Sequence, residues 1–492
     1  MIFSSAQFIL LFLPVSFFGY FFLNRIRLVV LGKAWLVAVS LFFYAYWNPA
    51  YIHLLLGSIL FNFSIGNHLA SDFRSRHFPL SRRSVLTLSI GLNLALLGYF
   101  KYTNFLVDNI NGVFGAAYVV PQILLPLGIS FFTFTQIAYL VDSYRGEAKE
   151  YDFLNYALFV TFFPHLIAGP ILHHHEMMSQ FKSHRNLSIR HRNILLGLFI
   201  FSIGLFKKAV IADTFAIWAN AGFDGTAPLD FFSAWLTSLS YTFQLYFDFS
   251  GYCDMAIGAS LLFNIWLPIN FNSPYKALDI QDFWRRWHMT LSRYLRDYLY
   301  IPLGGNRCSS GRVYFNLMAT FVLGGLWHGA SWMFIIWGAL HGGALVLHRF
   351  WSGRGWRMPK PLAWLVTFLF INVTWVFFRA KDMDDARRIL GGMVDFVSIQ
   401  QLPLVAIPSN QLAWGGWLTD YLLRWLPTGL AANFLCFCAV VVAFVIVRQK
   451  NSFDLMQSGL SRAKMTGALL LFCFAMYSVL VTTTSVFLYF NF

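Results

Sequence analysis

Charged residues are scarce in this sequence. They occupy 12% of its 492 positions, whereas an ordinary soluble domain carries roughly 25% charged residues. So few charges cannot cover the surface of a soluble protein of this length. Composition therefore excludes an ordinary soluble enzyme.

Cysteine and the short signatures of soluble enzymes are also rare or missing. The five cysteines include no C-x-x-C pair and fall mostly inside apolar runs, which favours buried apolar side chains over redox or metal chemistry. No G-x-S-x-G, G-x-x-x-x-G-K-[ST] or G-x-G-x-x-G motif occurs. The missing phosphate-binding loop argues against nucleotide-driven transport by this chain.

Hydrophobic residues take the place of the missing charge, at 58% of the chain, with aromatic residues alone at 19%. A helix that spans a hydrocarbon core of ~30 Å needs about 20 mostly apolar residues. Such runs predict one integral membrane domain over residues 1–492, an all-α polytopic membrane protein with roughly ten to twelve crossings and further re-entrant or interfacial segments. The candidate segments are 6–23, 35–50, 52–69, 84–100, 126–143, 153–172, 194–216, 230–247, 253–270, 313–327, 331–348, 362–378, 430–447 and 466–490.

The net charge of +15 could indicate a nucleic-acid partner, but the basic residues fall in short breaks between apolar runs. We therefore expect membrane lipids as partners and no nucleic acid. Loops rich in Lys and Arg are typical of the cytoplasmic side. The clusters that we place there are Arg74, Arg76, Arg82 and Arg83; Lys182, Arg185, Arg190 and Arg192; Arg349, Arg354, Arg357 and Lys360; and Arg448, Lys450, Arg462 and Lys464.

Several local features refine this topology. The run from Phe8 to Leu23 has no basic residues before it and no small-residue cleavage site behind it, which predicts a retained first helix. The aromatic-rich stretch 397–428 suits an extracytoplasmic interfacial loop, and 381–394 a short charged helix at the surface. The prolines that predict breaks are Pro126, Pro164, Pro170, Pro268 and Pro302.

Polar residues concentrate between Tyr241 and Arg307, where an apolar run is interrupted by FDFSGYCD. A carboxylate at bilayer depth costs about 2.5–3.5 kcal/mol, so Asp248 and Asp254 need partners or water. We expect them to pair with the arginines of 285–296, the alternative being a direct part in catalysis.

Residues 282–300 predict one helix with an apolar stripe of aromatic residues and Leu291 on one face. Two pairs at four-residue spacing, Asp282 with Arg286 and Arg293 with Asp297, can form ion pairs along it. The arginines have two interpretations: they hold phosphates of a ligand, or they meet lipid headgroups at the bilayer surface. The four are Arg285, Arg286, Arg293 and Arg296.

Histidines are the remaining candidates. His328, in an apolar stretch rich in glycine, can act as a general base, since neutral imidazole accepts a proton at cellular pH, or can be a packing residue of a helical bundle. The run His173, His174, His175 and Glu176 is poorly spaced for one ion, because adjacent side chains of a helix point in different directions. We expect no metal there, and a polar loop end after Pro170.

Three motifs in order, YFDFSGYCDMAIG, NFNSPYKALDIQDFWRRWHMTLSRYLRDYLYIPLGGNR and LGGLWHGASWMFIIWGALHG, resemble the membrane-bound O-acyltransferases. The bacterial branch with alginate O-acetylation and teichoic-acid D-alanylation proteins is the most similar. MIFSSAQFILLFLPV, PLGISFFTFTQIAYLVDSYRG and FFPHLIAGPILHHHEMMSQF extend the resemblance from the amino terminus to about residue 380. The histidine run departs from the pattern, because relatives often carry a single basic residue there.

The resemblance implies a fold and a set of roles. The fold is a ring of tilted transmembrane helices around a thinned central tunnel, with a catalytic core at approximately 126–380 and C-terminal helices at 430–490. The family's two functional histidines fall on His288 and His328, so His328 becomes the expected general base and His288 a second tunnel-lining participant. The four arginines then become candidates for holding the donor's phosphates.

The function implied is O-acetyl transfer in a bacterial inner membrane, with no permanently bound cofactor. The expected donor is acetyl-coenzyme A, and the final acceptor is an exported polysaccharide such as alginate, reached with separate periplasmic or extracellular acetyltransferases. Two alternatives from other classes stay open at this point. One is a transporter or flippase for a lipid-linked sugar or organic anion, and the other a non-catalytic scaffold in an exopolysaccharide export complex.

Overall fold

A computed structural model describes residues 1–70, 80–121, 123–148, 152–167, 169–400, 428–481 and 488. Within these ranges the regular elements are all helical, which confirms the all-α prediction. The α-helices are α1 (Leu13–Arg25), α2 (Val29–Ala45), α3 (Ile52–Ala70), α4 (Arg82–Phe114), α5 (Ile129–Arg145), α6 (Phe153–Thr161), α7 (Phe163–Leu166), α8 (His174–Phe181), α9 (His191–Phe206), α10 (Asp213–Asp224), α11 (Phe231–Leu262), α12 (Ile280–Arg286), α13 (Met289–Leu295), α14 (Ser310–His328), α15 (Trp332–Gly353), α16 (Lys360–Arg379), α17 (Met383–Met393), α18 (Thr428–Arg448), α19 (Ser452–Gln457) and α20 (Arg462–Val481).

Membrane-spanning capacity is spread along the whole described chain. Seven helical stretches there are long and apolar enough to cross a bilayer, and two shorter apolar helices, Val29–Ala45 and Phe434–Arg448, accompany them. A multi-pass membrane protein is thereby confirmed, while the number of crossings, the ring and its tunnel stay predictions. The seven stretches are Phe8–Arg25, Pro49–Ala70, Arg82–Phe114, His191–Asp224, Trp332–Gly353, Lys360–Arg379 and Arg462–Val481.

The sequence predicted most helix positions but divided one continuous helix into two segments. The five prolines expected to break helices all lie in turns, in loops or, for Pro164, in the first turn of α7. The surface helix expected at 381–394 is α17. The prediction of separate segments at 230–247 and 253–270 was wrong, because α11 continues through FDFSGYCD. The loop expected at 397–428, and the cluster residues Arg74 and Arg76, lie largely or wholly outside the described residues.

The chain forms two compact units, which we describe separately. The first comprises Met1–Leu198 and Ala256–Pro268. Its packing is dominated by phenylalanine: the rings of Phe12 and Phe43 lie 5.5 Å apart, and Phe163 lies 5.1 Å from Phe12. Buried amides pair within it, since Asn62 and Asn93 donate to each other's side-chain oxygens at 3.1 and 2.8 Å. Reciprocal amide bonds satisfy groups that lipid cannot.

The second unit comprises Phe199–Met255 and Ile269–Phe492. Its core contains three fully buried indoles, Trp287, Trp337 and Trp375, with ring centroids 4.9 Å apart for Trp287 and Trp375 and 5.9 Å apart for Trp337 and Trp375. Helices α14 and α15 pack backbone to backbone, because a Cβ on Gly325 would collide with the carbonyl oxygen of Phe334. These contacts fix the end of α14, where His328 lies.

A glycine contact brings α9 and α11 together inside the second unit. A Cβ on Gly204 would lie 2.7 Å from the carbonyl oxygen of Gly251, and one on Gly251 would lie 2.8 Å from the oxygen of Gly204. Small residues allow membrane helices to approach this closely. A π-helical turn, Lys207–Ala212, begins three residues after Gly204. Its first two residues are lysines that face the polar residues on either side of Gly251.

These lysines neutralise the carboxylates of FDFSGYCD. Lys207 Nζ lies 2.7 Å from Asp254 Oδ2, and Lys208 Nζ lies 2.7 Å from both Asp248 Oδ1 and Asp213 Oδ1. The prediction that Asp248 and Asp254 pair with the arginines of 285–296 was wrong. Proximity at the glycine contact explains the difference, because it places lysine ammonium groups against α11 itself.

Substitution of Gly204 by alanine tests this contact. We expect Gly204→Ala to destabilise the protein by about 1–3 kcal/mol, because the added methyl group forces two backbones apart. The matched control is Gly467→Ala in α20, where the new Cβ meets nothing within 4 Å. Thermal unfolding of both purified variants in detergent, followed by tryptophan fluorescence, compares them. Equal midpoints for the two variants would contradict the glycine contact.

Candidate active site

The polar segment after α11 does not form the single helix predicted for 282–300. Helix α12 ends at Arg286, α13 begins at Met289, and a π-helical turn, Arg296–Tyr300, follows. The break falls on His288, whose φ of 43° and ψ of 53° are left-handed. Such a conformation costs a non-glycine residue about 1–3 kcal/mol and is often held at functional sites by its surroundings.

Backbone hydrogen bonds to the preceding loop hold the break in place. Met289 N–H donates to the carbonyl oxygen of Asn270 at 3.0 Å, and Asn272 N–H donates to that of Arg286 at 2.9 Å. Trp287 anchors the other side, with its ring 5.0 Å from Phe271 and 4.9 Å from Trp375. Periodicity alone gave no signal for this break, because the aromatic residues on both sides of it keep helical spacing.

His288 is fully buried at the break. Its ring meets Phe249 of α11 edge to face at a centroid distance of 4.8 Å, and its Nδ1 lies 3.1 Å from Asn270 Oδ1. The residue lies outside the spanning stretches, and burial lowers the pKa of its imidazole to about 3. The side chain is therefore neutral at cellular pH, as a proton or hydrogen-bond acceptor must be.

His328 is the last residue of α14 and is 4% exposed. Three aromatic rings surround it, with centroids 5.0 Å away for Trp327, 5.1 Å for Trp337 and 5.2 Å for Phe378. Gly329, with an extended backbone, ends the helix where any Cβ would collide with the Phe334 ring. The imidazole therefore lies in a tight aromatic enclosure.

One indole connects the two candidate histidines. The ring of Trp327 lies 5.0 Å from that of His328 and 6.5 Å from that of His288. The structure thus brings together the two residues that the sequence singled out from different motifs. Both imidazoles are buried among indole and phenyl rings, which present few groups that hold water. General-base chemistry on a hydroxyl fits such a site.

Sequence reasoning missed a third histidine, His341, in α15. It is fully buried, receives a hydrogen bond at Nδ1 from Trp284 Nε1 at 3.1 Å, and lies 3.1 Å from Thr374 Oγ1 through Nε2. Thr374 Oγ1 in turn donates to the carbonyl oxygen of Ile371 at 2.9 Å. Both ring nitrogens are therefore in hydrogen bonds within the protein. The sequence feature that could have indicated this residue is a histidine inside the apolar helical run of the third motif.

The role of His341 is to support the enclosure. Its ring lies 4.7 Å from Trp337, the indole that meets His328 edge to face. Because hydrogen bonds at both nitrogens fix the imidazole plane, Trp337 has a rigid neighbour on one side.

The four candidate arginines differ in their surroundings. Arg286 Nε donates to Asp282 Oδ1 at 2.8 Å, as the four-residue spacing predicted. Arg296 donates twice to Asp297, at 2.7 and 3.1 Å, and its side chain is 60% exposed. Arg285 is exposed and Arg293 half-buried. Two of the four thus have carboxylate neighbours, which leaves exposed Arg285 as the strongest candidate for an incoming phosphate.

The histidine run lies in the first unit and has structural roles there. The backbone N–H of His173 donates to Glu176 Oε2 at 3.5 Å at the start of α8. His174 is buried with its ring 5.1 Å from Tyr139 and 5.4 Å from Phe159. These contacts account for two of the three histidines through helix capping and packing.

The chain is similar to known proteins over most of its length. Residues 17–380 match the model of the membrane-bound O-acyltransferase family. The peptidoglycan O-acetyltransferase of Helicobacter pylori is 48% identical over 100% of this chain and 98% of its own length. A protein of Pseudomonas aeruginosa named probable alginate O-acetylase AlgI is 42% identical over 91% of this chain and 82% of its own.

A more distant relative shows how far the similarity extends. The teichoic acid D-alanyltransferase of Bacillus subtilis is 28% identical over 52% of this chain and 69% of its own length. The family model spans both histidine motifs and most of the described helices. This chain therefore belongs to the membrane-bound O-acyltransferase family and is a multi-pass membrane acyltransferase.

Proposed function

We propose that this protein takes an acetyl group from a cytoplasmic thioester, acetyl-coenzyme A, and transfers it across the membrane for O-acetylation of an exported polysaccharide. The observation that carries the proposal is that the buried imidazoles of His288 and His328 both contact the indole of Trp327. Similarity over the full chain to a peptidoglycan O-acetyltransferase supports acetyl as the group transferred.

The chemistry requires one base and an exchange of bonds at one carbonyl. The acceptor oxygen attacks the thioester carbonyl, its proton passes to the His328 imidazole, and the carbon–sulfur bond breaks. The departing thiolate takes that proton, so an acetate ester and a free thiol are formed. The aromatic enclosure limits access of water, which would otherwise hydrolyse the thioester.

The donor and the acceptor enter this scheme from opposite sides of a bacterial inner membrane. Arg285, with Arg286, Arg293 and Arg296, holds the donor's phosphates at the cytoplasmic face, because guanidinium groups match phosphate oxygens. A separate periplasmic or extracellular acetyltransferase receives the acetyl group and passes it to the glycan. Peptidoglycan is the acceptor that the 48% identical relative favours, and alginate is the one that the 42% identical relative favours.

Chemical analysis of glycans tests the proposed function. We expect deletion of the protein to remove ester-linked acetate from muropeptides, and complementation to restore it, since no other acetyl source reaches the outer face in this scheme. Exopolysaccharide from the same cells is analysed in parallel, which distinguishes the two acceptors. Unchanged acetate in both fractions would contradict the proposal.

Replacement of His328 tests the general base. His328→Ala should reduce transfer by about 10²–10⁴-fold, the usual contribution of a positioned base. The matched control is His348→Ala, at the far end of the next helix, where the ring is 26% exposed and lies 3.6 Å from Asp279. Acetyl transfer is measured at equal amounts of membrane-inserted protein. Wild-type rates in His328→Ala would remove this residue from the mechanism.

Neutralisation of Arg285 tests donor binding. Arg285→Gln should raise the KM for acetyl-coenzyme A and leave kcat nearly unchanged, with a larger effect at low salt because exposed charges are screened. Arg387→Gln on α17, where the guanidinium is 73% exposed, is the control. An unaltered KM in Arg285→Gln would favour the interpretation that this arginine meets lipid headgroups.

A further inference from the structure

Asn270 contacts both His288, where the helix breaks, and Thr290, in the helix that follows the break. It is 1% exposed and lies in the loop after α11. Its side-chain oxygen accepts hydrogen bonds from Thr290 N–H at 3.2 Å and Thr290 Oγ1 at 3.0 Å. The same oxygen lies 3.1 Å from His288 Nδ1.

These contacts fix the orientation of the amide. A backbone N–H can only donate, so the atom that faces Thr290 N–H is the amide oxygen and not the NH₂ group. The NH₂ group is then directed to the other side, where its nitrogen lies 3.5 Å from Cys253 Sγ. A flipped amide would place two donors against each other at Thr290.

The orientation of the amide fixes the proton on the imidazole. The amide oxygen carries no proton, so His288 Nδ1 must donate to it. A neutral imidazole has one N–H group, and its other nitrogen carries a lone pair. In the buried, neutral His288 the lone pair is therefore on Nε2.

We propose that Asn270 is a positioning residue that holds His288 as the Nδ1–H tautomer, so that Nε2 presents a hydrogen-bond acceptor to the acceptor substrate, beside the hydroxyl that His328 deprotonates. This inference rests on the proposed function for the identity of the substrate, and on geometry alone for the tautomer. It also places His288 on the acceptor's side of the reaction, because a hydrogen-bond acceptor suits a substrate that carries donors and does not suit the thioester carbonyl.

The described contacts of His288 and Asn270 come from three parts of the chain. From α11, Phe249 and Cys253 face His288 and Asn270 respectively, and from α14 the Trp327 ring faces His288. On the chain of the break itself, Thr290 contacts Asn270. Of these, the Cys253 thiol is the titratable group, and it lies on the NH₂ side of the amide.

Nitrogen NMR reads the tautomer directly and needs no activity. The full-length protein, labelled with ¹⁵N in its histidine rings and reconstituted in nanodiscs, is compared with His288→Gln to assign the ring signals of His288 by difference. We expect a protonated Nδ1 and an unprotonated Nε2 at neutral pH. Observation of a protonated Nε2 would overturn the inference, whatever the transfer activity of the protein.

Variants of Asn270 connect the tautomer to the reaction. Asn270→Leu removes the acceptor, so the Nδ1–H preference should be lost and kcat should fall at least tenfold with little change in the KM for acetyl-coenzyme A. Asn270→Asp keeps an acceptor oxygen at the same place and should retain the tautomer. Its added charge stabilises the imidazolium form, so the acid limb of the pH–rate profile should move to higher pH.

The control and the outcomes separate the two proposals. The matched control is Cys473→Ala on α20, where the thiol is exposed, and it should leave the tautomer, kcat and the pH profile unchanged. Equal pH profiles for wild type and an active Asn270→Asp variant would contradict the positioning role. A correct tautomer in a wild-type protein without acetyl transfer would instead contradict the proposed function and leave the structural role of Asn270 intact.

Discussion

The ion pairs at the contact between Gly204 and Gly251 are the constraint on which the second unit depends. Lys207 and Lys208 lie in the low-dielectric interior with their carboxylates at 2.7 Å, and removal of one partner from a buried pair commonly costs about 3–5 kcal/mol. Such pairs tolerate little displacement. They therefore hold the part of α11 that lies in the second unit in one rotation about the helix axis.

The position of α11 matters for the site because its residues form part of the histidine environment. Phe249, one residue after Asp248, packs against His288, and Cys253, one residue before Asp254, contacts Asn270. The residues of FDFSGYCD thus make two kinds of contact from the same helix. Their carboxylates anchor the helix to the lysines, and the residues beside them contact the histidine and the amide that orients it.

Aromatic residues enclose both candidate histidines. Burial disfavours the imidazolium form of His288, and indole and phenyl rings fill the space around His288 and His328. Hydrogen bonds are placed where orientation is needed: His341 uses both nitrogens to support Trp337, and Asn270 directs His288.

The sequence by itself determined the all-helical membrane architecture, the breaks at proline, and the two histidines within distinctive motifs, because apolar run length, proline chemistry and local motifs are properties of neighbouring residues. Only the tertiary structure decided that lysines pair with Asp248 and Asp254, that α11 is continuous, and that the helix predicted over 282–300 breaks at His288. It also decided the roles of Asn270 and His341. Each of these depends on which groups meet across distant parts of the chain, and hydrophobic periodicity contains no information about such partners.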